Sequence, residues 1–190
     1  YATKEWLDAG LFDGRIAVNL SAVQFTQPNL VGMIQSVLKE TQLPAKHLEL
    51  EITEGTVMDS PQKSIDTMLQ IRALGIHLSL DDFGTGYSSL AYLKKFPLNT
   101  LKIDKAFVDD IETSEQGRNM VATIVTIAHN LGLQVVAEGV ESNKQLHFLS
   151  GLRCEQLQGY LYSKPLPQKD FRSYLLSHQI TDKSTSFNKV

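Results

Sequence analysis

His77-Leu78-Ser79-Leu80-Asp81-Asp82-Phe83-Gly84-Thr85-Gly86 alternates apolar and polar residues, then breaks on two glycines. Strict alternation marks a strand with two unlike faces, so Leu78 and Leu80 share one face, Ser79 and Asp81 the other. Leu48-Glu49-Leu50-Glu51-Ile52-Thr53 repeats the pattern. The same parity pairs Ala17 with Asn19, Lys102 with Asp104, Val136 with Glu138 and Gln156 with Gln158. Strands are predicted at Ile16–Ser21, His47–Thr53, His77–Phe83, Thr100–Asp104, Gln134–Gly139 and Cys154–Tyr160. Helical patterns separate them at Leu30–Thr41, Pro61–Leu74, Ser88–Lys95, Glu115–Leu131 and Asn143–Leu149, with a last one at Gln168–Ser177. Ser60-Pro61 stands in N-cap and N1 order, and Gly75 and Gly132 sit where C-cap glycines belong.

Strand and helix in alternation predict a parallel α/β fold. An apolar outer face under helices and a polar inner face predict a TIM-like (β/α) barrel. An open doubly wound sheet would bury both faces and show continuous apolar strands. Half-exposed antiparallel strands would show the same alternation, but the long intervening helices argue against them. Barrels of this kind usually hold about eight strands in about 250 residues. The six visible strands therefore predict one or two more upstream of Tyr1, leaving the barrel incomplete at the N-terminus.

The 190 residues are 42% hydrophobic and 21% charged, an ordinary globular composition for a single core. One domain is expected over 1–178, with a polar C-terminal tail at 179–190. A net charge of -3 argues against a dedicated binder of nucleic-acid polymers. Cys154 is the lone cysteine, which excludes an intrachain disulfide and fits the cytoplasm. No apolar run approaches a membrane span, so no membrane contact is expected of this segment, although a parent protein could be anchored elsewhere. The first residues, Tyr1–Ala9, read as a helix and carry no initiator methionine, as a segment of a longer protein would.

The polar residues fall at the C-terminal strand ends, where barrel active sites are built. Asn19, Glu51, Asp81, Asp82 and Glu138 place four carboxylates and an amide at one mouth. Like charges so gathered repel unless a cation neutralises them, and oxygen donors favour Mg²⁺ or Mn²⁺ over zinc. Asp81 and Asp82 can serve one site only where the strand gives way, and Phe83-Gly84-Thr85-Gly86 supplies that break. Asp81 could then bridge two ions while Asp82 reaches one. Two ions would clamp the attacking and leaving oxygens of a phosphoryl displacement and lower a bound water's pKa toward about 7. Lys102 would steady the resulting hydroxide or a phosphate oxygen. Each residue has a plainer alternative. Glu51 and Glu138 could be solvated strand ends, Asp81-Asp82 a helix N-cap, and Lys102 the partner of Asp104 in a structural ion pair. The glycines are neither a P-loop nor a dinucleotide fingerprint, and the histidines lack HExxH spacing. The joint pattern, one polar residue per strand end, carries the reading.

Val18-Asn19-Leu20-Ser21, Glu51-Ile52-Thr53-Glu54, Asp81-Asp82-Phe83-Gly84-Thr85-Gly86-Tyr87-Ser88-Ser89, Leu101-Lys102-Ile103-Asp104, Ala137-Glu138-Gly139-Val140-Glu141, Gln158-Gly159-Tyr160 and Ser163-Lys164-Pro165-Leu166-Pro167 follow one another in this order. With these motifs the chain, over roughly Tyr1 to Tyr174, resembles the EAL-domain family of cyclic di-GMP phosphodiesterases. The resemblance implies a TIM-like barrel with cyclic di-GMP lying across the strand ends and hydrolysed to linear pGpG. It implies that Asn19, Glu51 and Asp81 ligate metal, with Asp82 on a second Mg²⁺ or Mn²⁺ ion. Lys102 and Glu138 would handle the attacking water, Gln158 would orient the site, and Asp104, Gln158 and Pro165 would meet substrate. Glu54 would hold Phe83–Ser89 in its active shape. The resemblance also implies a homodimer near that loop, and sensory or GGDEF domains in the parent protein. One departure stands out: the Glu-Ala-Leu motif, with its metal-ligating glutamate and the arginine after it, would lie upstream of Tyr1. The rival expectations are an inactive EAL-like receptor, which typically loses metal ligands or the loop motif, and a barrel lyase or isomerase. The latter would need a Schiff-base lysine or an acid–base pair, and Lys102 among carboxylates offers a less suitable, charge-stabilised ammonium.

Overall fold

The computed structural model describes residues 1–84 and 90–182, with side chains through residue 177. Its elements are α1 (Ala2–Asp8), β1 (Ile16–Asn19), α2 (Ala22–Phe25), α3 (Leu30–Thr41), β2 (Leu48–Thr53), α4 (Glu54–Asp59), α5 (Pro61–Ala73), β3 (His77–Phe83), α6 (Leu90–Leu93), β4 (Thr100–Ile103), α7 (Lys105–Thr113), α8 (Glu115–Asn130), β5 (Gln134–Ala137), α9 (Asn143–Gly151), β6 (Gln156–Leu157) and α10 (Gln168–Asp182). The strands pair in the order β1-β2-β3-β4-β5-β6, every pair parallel. That order never reverses, which excludes a doubly wound sheet and gives the singly wound arrangement of a barrel. Ala17 of β1 and Gln156 of β6 line one cavity of about 380 Å³ although their strands are the two sheet edges, so the sheet is rolled into an open half-barrel.

The apolar parity faces the helices. Leu78, Leu80, Leu101, Ile103, Val135 and Ala137 are wholly buried with Met68 and Ile71 of α5, Val108 of α7 and Val121 of α8. Burying each large aliphatic stabilises the fold by about 1.5–3 kcal/mol. The other parity faces the barrel interior and is also buried: Glu49, Glu51, Ser79, Asp81, Thr100 and Lys102. Outside the sheet, α1 spans from α3 to α10. The Tyr1 hydroxyl donates to Glu40, and the Trp6 ring lies 5.0 Å from that of Phe171.

Several boundaries differ from the sequence reading for identifiable reasons. β1 stops at Asn19 because Ser21 caps α2, its hydroxyl accepting from Gln24 N at 3.3 Å while Gln24 Oε1 accepts from Ser21 N at 3.1 Å. The short helices α2, α4 and α7 are additional to those expected, each opening directly behind a strand. β6 is only Gln156–Leu157, shorter than Cys154–Tyr160, and β5 ends at Ala137. Of the expected helix Ser88–Lys95 the structure shows Leu90–Leu93, and Ser88 and Ser89 lie outside the described residues. α10 continues to Asp182, across the expected start of the tail, and residues 183–190 lie outside the described residues. Gly75 and Gly132 take the left-handed φ of C-cap glycines, 87° and 72°.

Candidate active site

Lys102 stands at the centre. Its Nζ lies 2.6 Å from Glu51 Oε1 of β2, 3.3 Å from Asp81 Oδ1 of β3 and 2.5 Å from Glu138 Oε1 just beyond β5. Its side chain is 4% exposed. The alternative pairing with Asp104 is not realised. Burial pulls the Lys102 ammonium down, but hydrogen bonds to Glu138 and Glu51 more than offset it and hold its pKa above the ordinary lysine value. At Glu138 burial wins instead and raises the carboxyl, against the pull of the one cation it meets. Burial opposes charge on both partners; Lys102 has three carboxylates to answer it and Glu138 a single ammonium.

The break in the alternation at the neighbouring aspartates comes earlier than the glycines. β3 continues to Phe83, but Asp82 itself takes φ 55° and the β3–β4 register shifts between Leu80 and Phe83. This bulge turns one residue out of the alternation. Asp82 N then donates to Asp81 Oδ1 at 3.1 Å. Burial, then the charges of Asp81 and Asp104, raise the Asp82 carboxyl, while Lys102 pulls it down. The structure thus overturns the N-cap alternative for this pair.

Asn19 lies opposite Glu51 in the β1–β2 register, at an exposed strand end. Gln158 lines the same cavity as Glu51 and Lys102, and its N donates to Ala137 O at 2.8 Å. Glu54 opens α4 and is 2% exposed; its Oε2 accepts from Gly84 N at 3.0 Å, while Oε1 is buried with no partner among the described residues. Thr85–Ser89, the rest of the loop assigned to Glu54, lie outside the described residues. Asp104 is the N-cap of α7, accepting from Ala106 N at 2.9 Å, a structural task the sequence reading did not give it. Pro165 is exposed in the segment after β6.

The expected metal ligands Asn19, Glu51, Asp81 and Asp82 are thus brought to one end of the sheet but not into one shell. Among the described residues no three Asp, Glu, His or Cys side chains converge as a ready-made metal site. The carboxylates turn onto Lys102, which supplies the neutralising cation. Three carboxylates share that one ammonium, so negative charge remains in excess and the oxygen donors fit a hard divalent cation. Sequence reasoning missed the Arg15–Glu49 ion pair at 3.0 Å, which lines the same cavity nearer the strand starts. Its signal was present, since Glu49 shares parity with Glu51.

Residues 2–165 match the EAL domain. The chain belongs to the EAL domain family. Among its relatives is the cyclic di-GMP phosphodiesterase NbdA of Pseudomonas aeruginosa, 43% identical over 165 residues, 87% of this chain and 21% of that protein. The chain spans between a fifth and a quarter of the length of such curated relatives. A structure of PaMucR phosphodiesterase in complex with c-di-GMP superposes with a TM-score of 0.87 at 42% identity, covering 90% of this chain and 69% of that one. Klebsiella pneumoniae BlrP1, solved with manganese and cyclic di-GMP, superposes at 0.78 with 31% identity over 88% of this chain and 43% of its own. No helix of the described residues in this EAL domain is long and apolar enough to cross a membrane.

Proposed function

We propose that this EAL domain hydrolyses cyclic di-GMP to linear pGpG with the help of Mg²⁺ or Mn²⁺. The observation that carries the reading is the buried Lys102 among carboxylates from β2, β3 and the end of β5. Asn19, Glu51, Asp81 and Asp82 would hold two ions. When bound, these would neutralise phosphate charge and acidify the attacking water. The chain's own residues do the rest. Water adds to one phosphorus, the P–O3′ bond breaks, and the 3′-oxygen takes up a proton from solvent. Lys102 donates to the phosphoryl oxygens as their charge grows. Glu138, whose carboxyl is raised by burial, takes the proton from water. Gln158, on the cavity wall, orients the phosphate, and Glu54 steadies the backbone at Gly84 behind Asp81 and Asp82. Asp104 and Pro165 meet the substrate beyond the strand ends.

A homodimer through the Phe83–Ser89 region belongs to the same proposal. Phe83 itself is buried in the core, and residues 85–89 lie outside the described residues. The decisive experiment incubates the purified protein with cyclic di-GMP and follows pGpG by chromatography. Hydrolysis is expected with Mg²⁺ or Mn²⁺, none in excess chelator, and inhibition by Ca²⁺, whose looser coordination misplaces the reacting oxygens. Full activity in chelator would refute the metal mechanism, and binding without cleavage would make the domain a receptor.

A further inference from the structure

The segment after β6 presses on the segment after β5 more closely than a side chain would allow. A Cβ added at Gly159 would lie 2.1 Å from Val140 O, 2.3 Å from Val140 N and 2.7 Å from Val140 C. All three are backbone atoms, which cannot swing aside. At Gly139 the obstructing atoms are side-chain carbons of Lys105, and its φ of 71° calls for glycine on its own. Gly159 is not among the left-handed residues, so space alone requires glycine there. Around this contact the two segments are clasped by main-chain bonds. Gln158 N donates to Ala137 O at 2.8 Å, Val140 N to Gln158 O at 2.9 Å, and Leu161 N to Val140 O at 3.0 Å.

The clasp brackets two residues of the site. Ala137 and Val140, its acceptors on one side, flank Glu138, whose N donates to Ile103 O at 3.0 Å and whose carboxylate meets Lys102. Gln158, its partner on the other, faces the cavity shared by Glu51 and Lys102. We propose that Gly159 is a positioning residue: its missing side chain lets two backbones close together, and that closure sets Glu138 and Gln158 relative to Lys102. A Cβ would force the segments apart by an ångström or more of backbone movement and carry both side chains with them. The catalytic part of this inference rests on the phosphodiesterase reading; the clasp itself does not.

The test compares wild type, Gly159→Ala and a control, Gly132→Ala. Gly132 has φ 72° and nothing within 4 Å of an added Cβ, so its alanine is strained without any clash. Amide hydrogen exchange is read residue by residue, and hydrolysis of cyclic di-GMP with Mn²⁺ supplies kcat and KM. In Gly159→Ala the Val140, Gln158 and Leu161 amides should exchange about tenfold faster, with α5 and β2 unchanged. Its kcat should fall about 10- to 100-fold while KM stays within about threefold, as expected for misplaced rather than missing groups. Gly132→Ala should show neither effect. Wild-type exchange at the three amides, acceleration spread over the whole sheet, or an unchanged kcat in folded Gly159→Ala overturns the proposal. Should that variant not fold, wild type alone decides: its Val140 and Leu161 amides must be protected like those of the β4–β5 ladder, and free exchange there overturns the clasp. A wild type that hydrolyses nothing sinks the phosphodiesterase reading, while the exchange measurements still decide the clasp.

Discussion

Lys102→Met removes the ammonium at the centre of the site while keeping a straight stem of similar bulk. Wild-type Lys102 is 4% exposed, and Glu51, Asp81 and Glu138 are 9%, 12% and 20% exposed in their side chains. Deleting one member of a buried ion cluster costs about 3–5 kcal/mol, because the remaining charges lose their partner without regaining water. Glu138 can relieve part of that by protonation, its carboxyl already raised by burial. The lower end, about 3 kcal/mol, is therefore expected in chelator at neutral pH. For a chain of this size each kcal/mol moves the melting point about 2–4 °C, giving a fall of about 6–12 °C.

The pH dependence separates lost charge from lost packing. Lys102 has its folded pKa raised above 10.5, so its stabilisation is complete below the ordinary lysine range and fades only above it. Wild type therefore keeps it throughout the neutral range. In the variant the uncompensated carboxylates are the cost, and protonating them removes it. The gap in melting temperature should thus narrow as pH falls, beginning above the ordinary carboxylate range because burial raises the Glu138 carboxyl. Mn²⁺ should narrow it too, by binding the folded state where the ammonium stood. Circular dichroism melts at several pH values, with chelator and with Mn²⁺, measure all three effects. A gap under about 2 °C at neutral pH, far below the cost of a broken buried cluster, would show that Lys102 does not hold the carboxylates together. A gap unchanged by acid would assign the loss to packing.

Lys102→Ala should lower turnover at saturating cyclic di-GMP about 100-fold with little change in KM, since its donation is expected to strengthen in the transition state. A raised KM with normal turnover would make it a ground-state anchor. Glu54→Gln exchanges an ionised acceptor for a neutral amide opposite Gly84 N, and activity should fall about tenfold at unchanged KM. Unchanged rate and Mn²⁺ affinity would leave Glu54 a structural strut. Asp104→Ala should destabilise the fold by about 1 kcal/mol through the lost α7 cap, and Asp104→Asn should restore that stability. A low activity in stable Asp104→Asn would then isolate its substrate role.

The inward and outward faces of the strands were legible because alternation is local. Leu78 and Leu80 against Ser79 and Asp81 need no knowledge of any neighbour, and both faces appear as read. The flip at Asp82 was not legible. It is a left-handed φ at a residue with a side chain, and it falls where the β3–β4 register shifts, which no local pattern shows. The cap at Asp104 was legible and was overlooked, since the strand motif had already claimed that carboxylate. β6 is short for a reason no local pattern contains. After Gln158 the backbone groups of this segment turn to Val140, so the ladder yields to the clasp.

Which inward residues meet is decided by register and curvature together. Lys102 lies beside Val136 of β5, while Leu101 pairs with Leu80 of β3, so Asp81 and Glu138 come from either side of β4, Asp81 on β3 itself and Glu138 just beyond the end of β5. Glu51 does not: β2 is two strands away, and adjacent strands lie about 4.8 Å apart, so a flat sheet would separate the two backbones by about 10 Å. A contact of 2.6 Å between Lys102 Nζ and Glu51 Oε1 requires both side chains to reach into a common interior. Rolling the sheet tilts the inward side chains of these two strands toward each other, and the four-carbon stem of lysine spans what remains. Lys102 is the long inward side chain on β4, beside the shorter Thr100. The same curvature that rolls the sheet into a half-barrel thus brings a glutamate and a lysine together at these two positions, which is why the ion cluster and the fold are one problem rather than two.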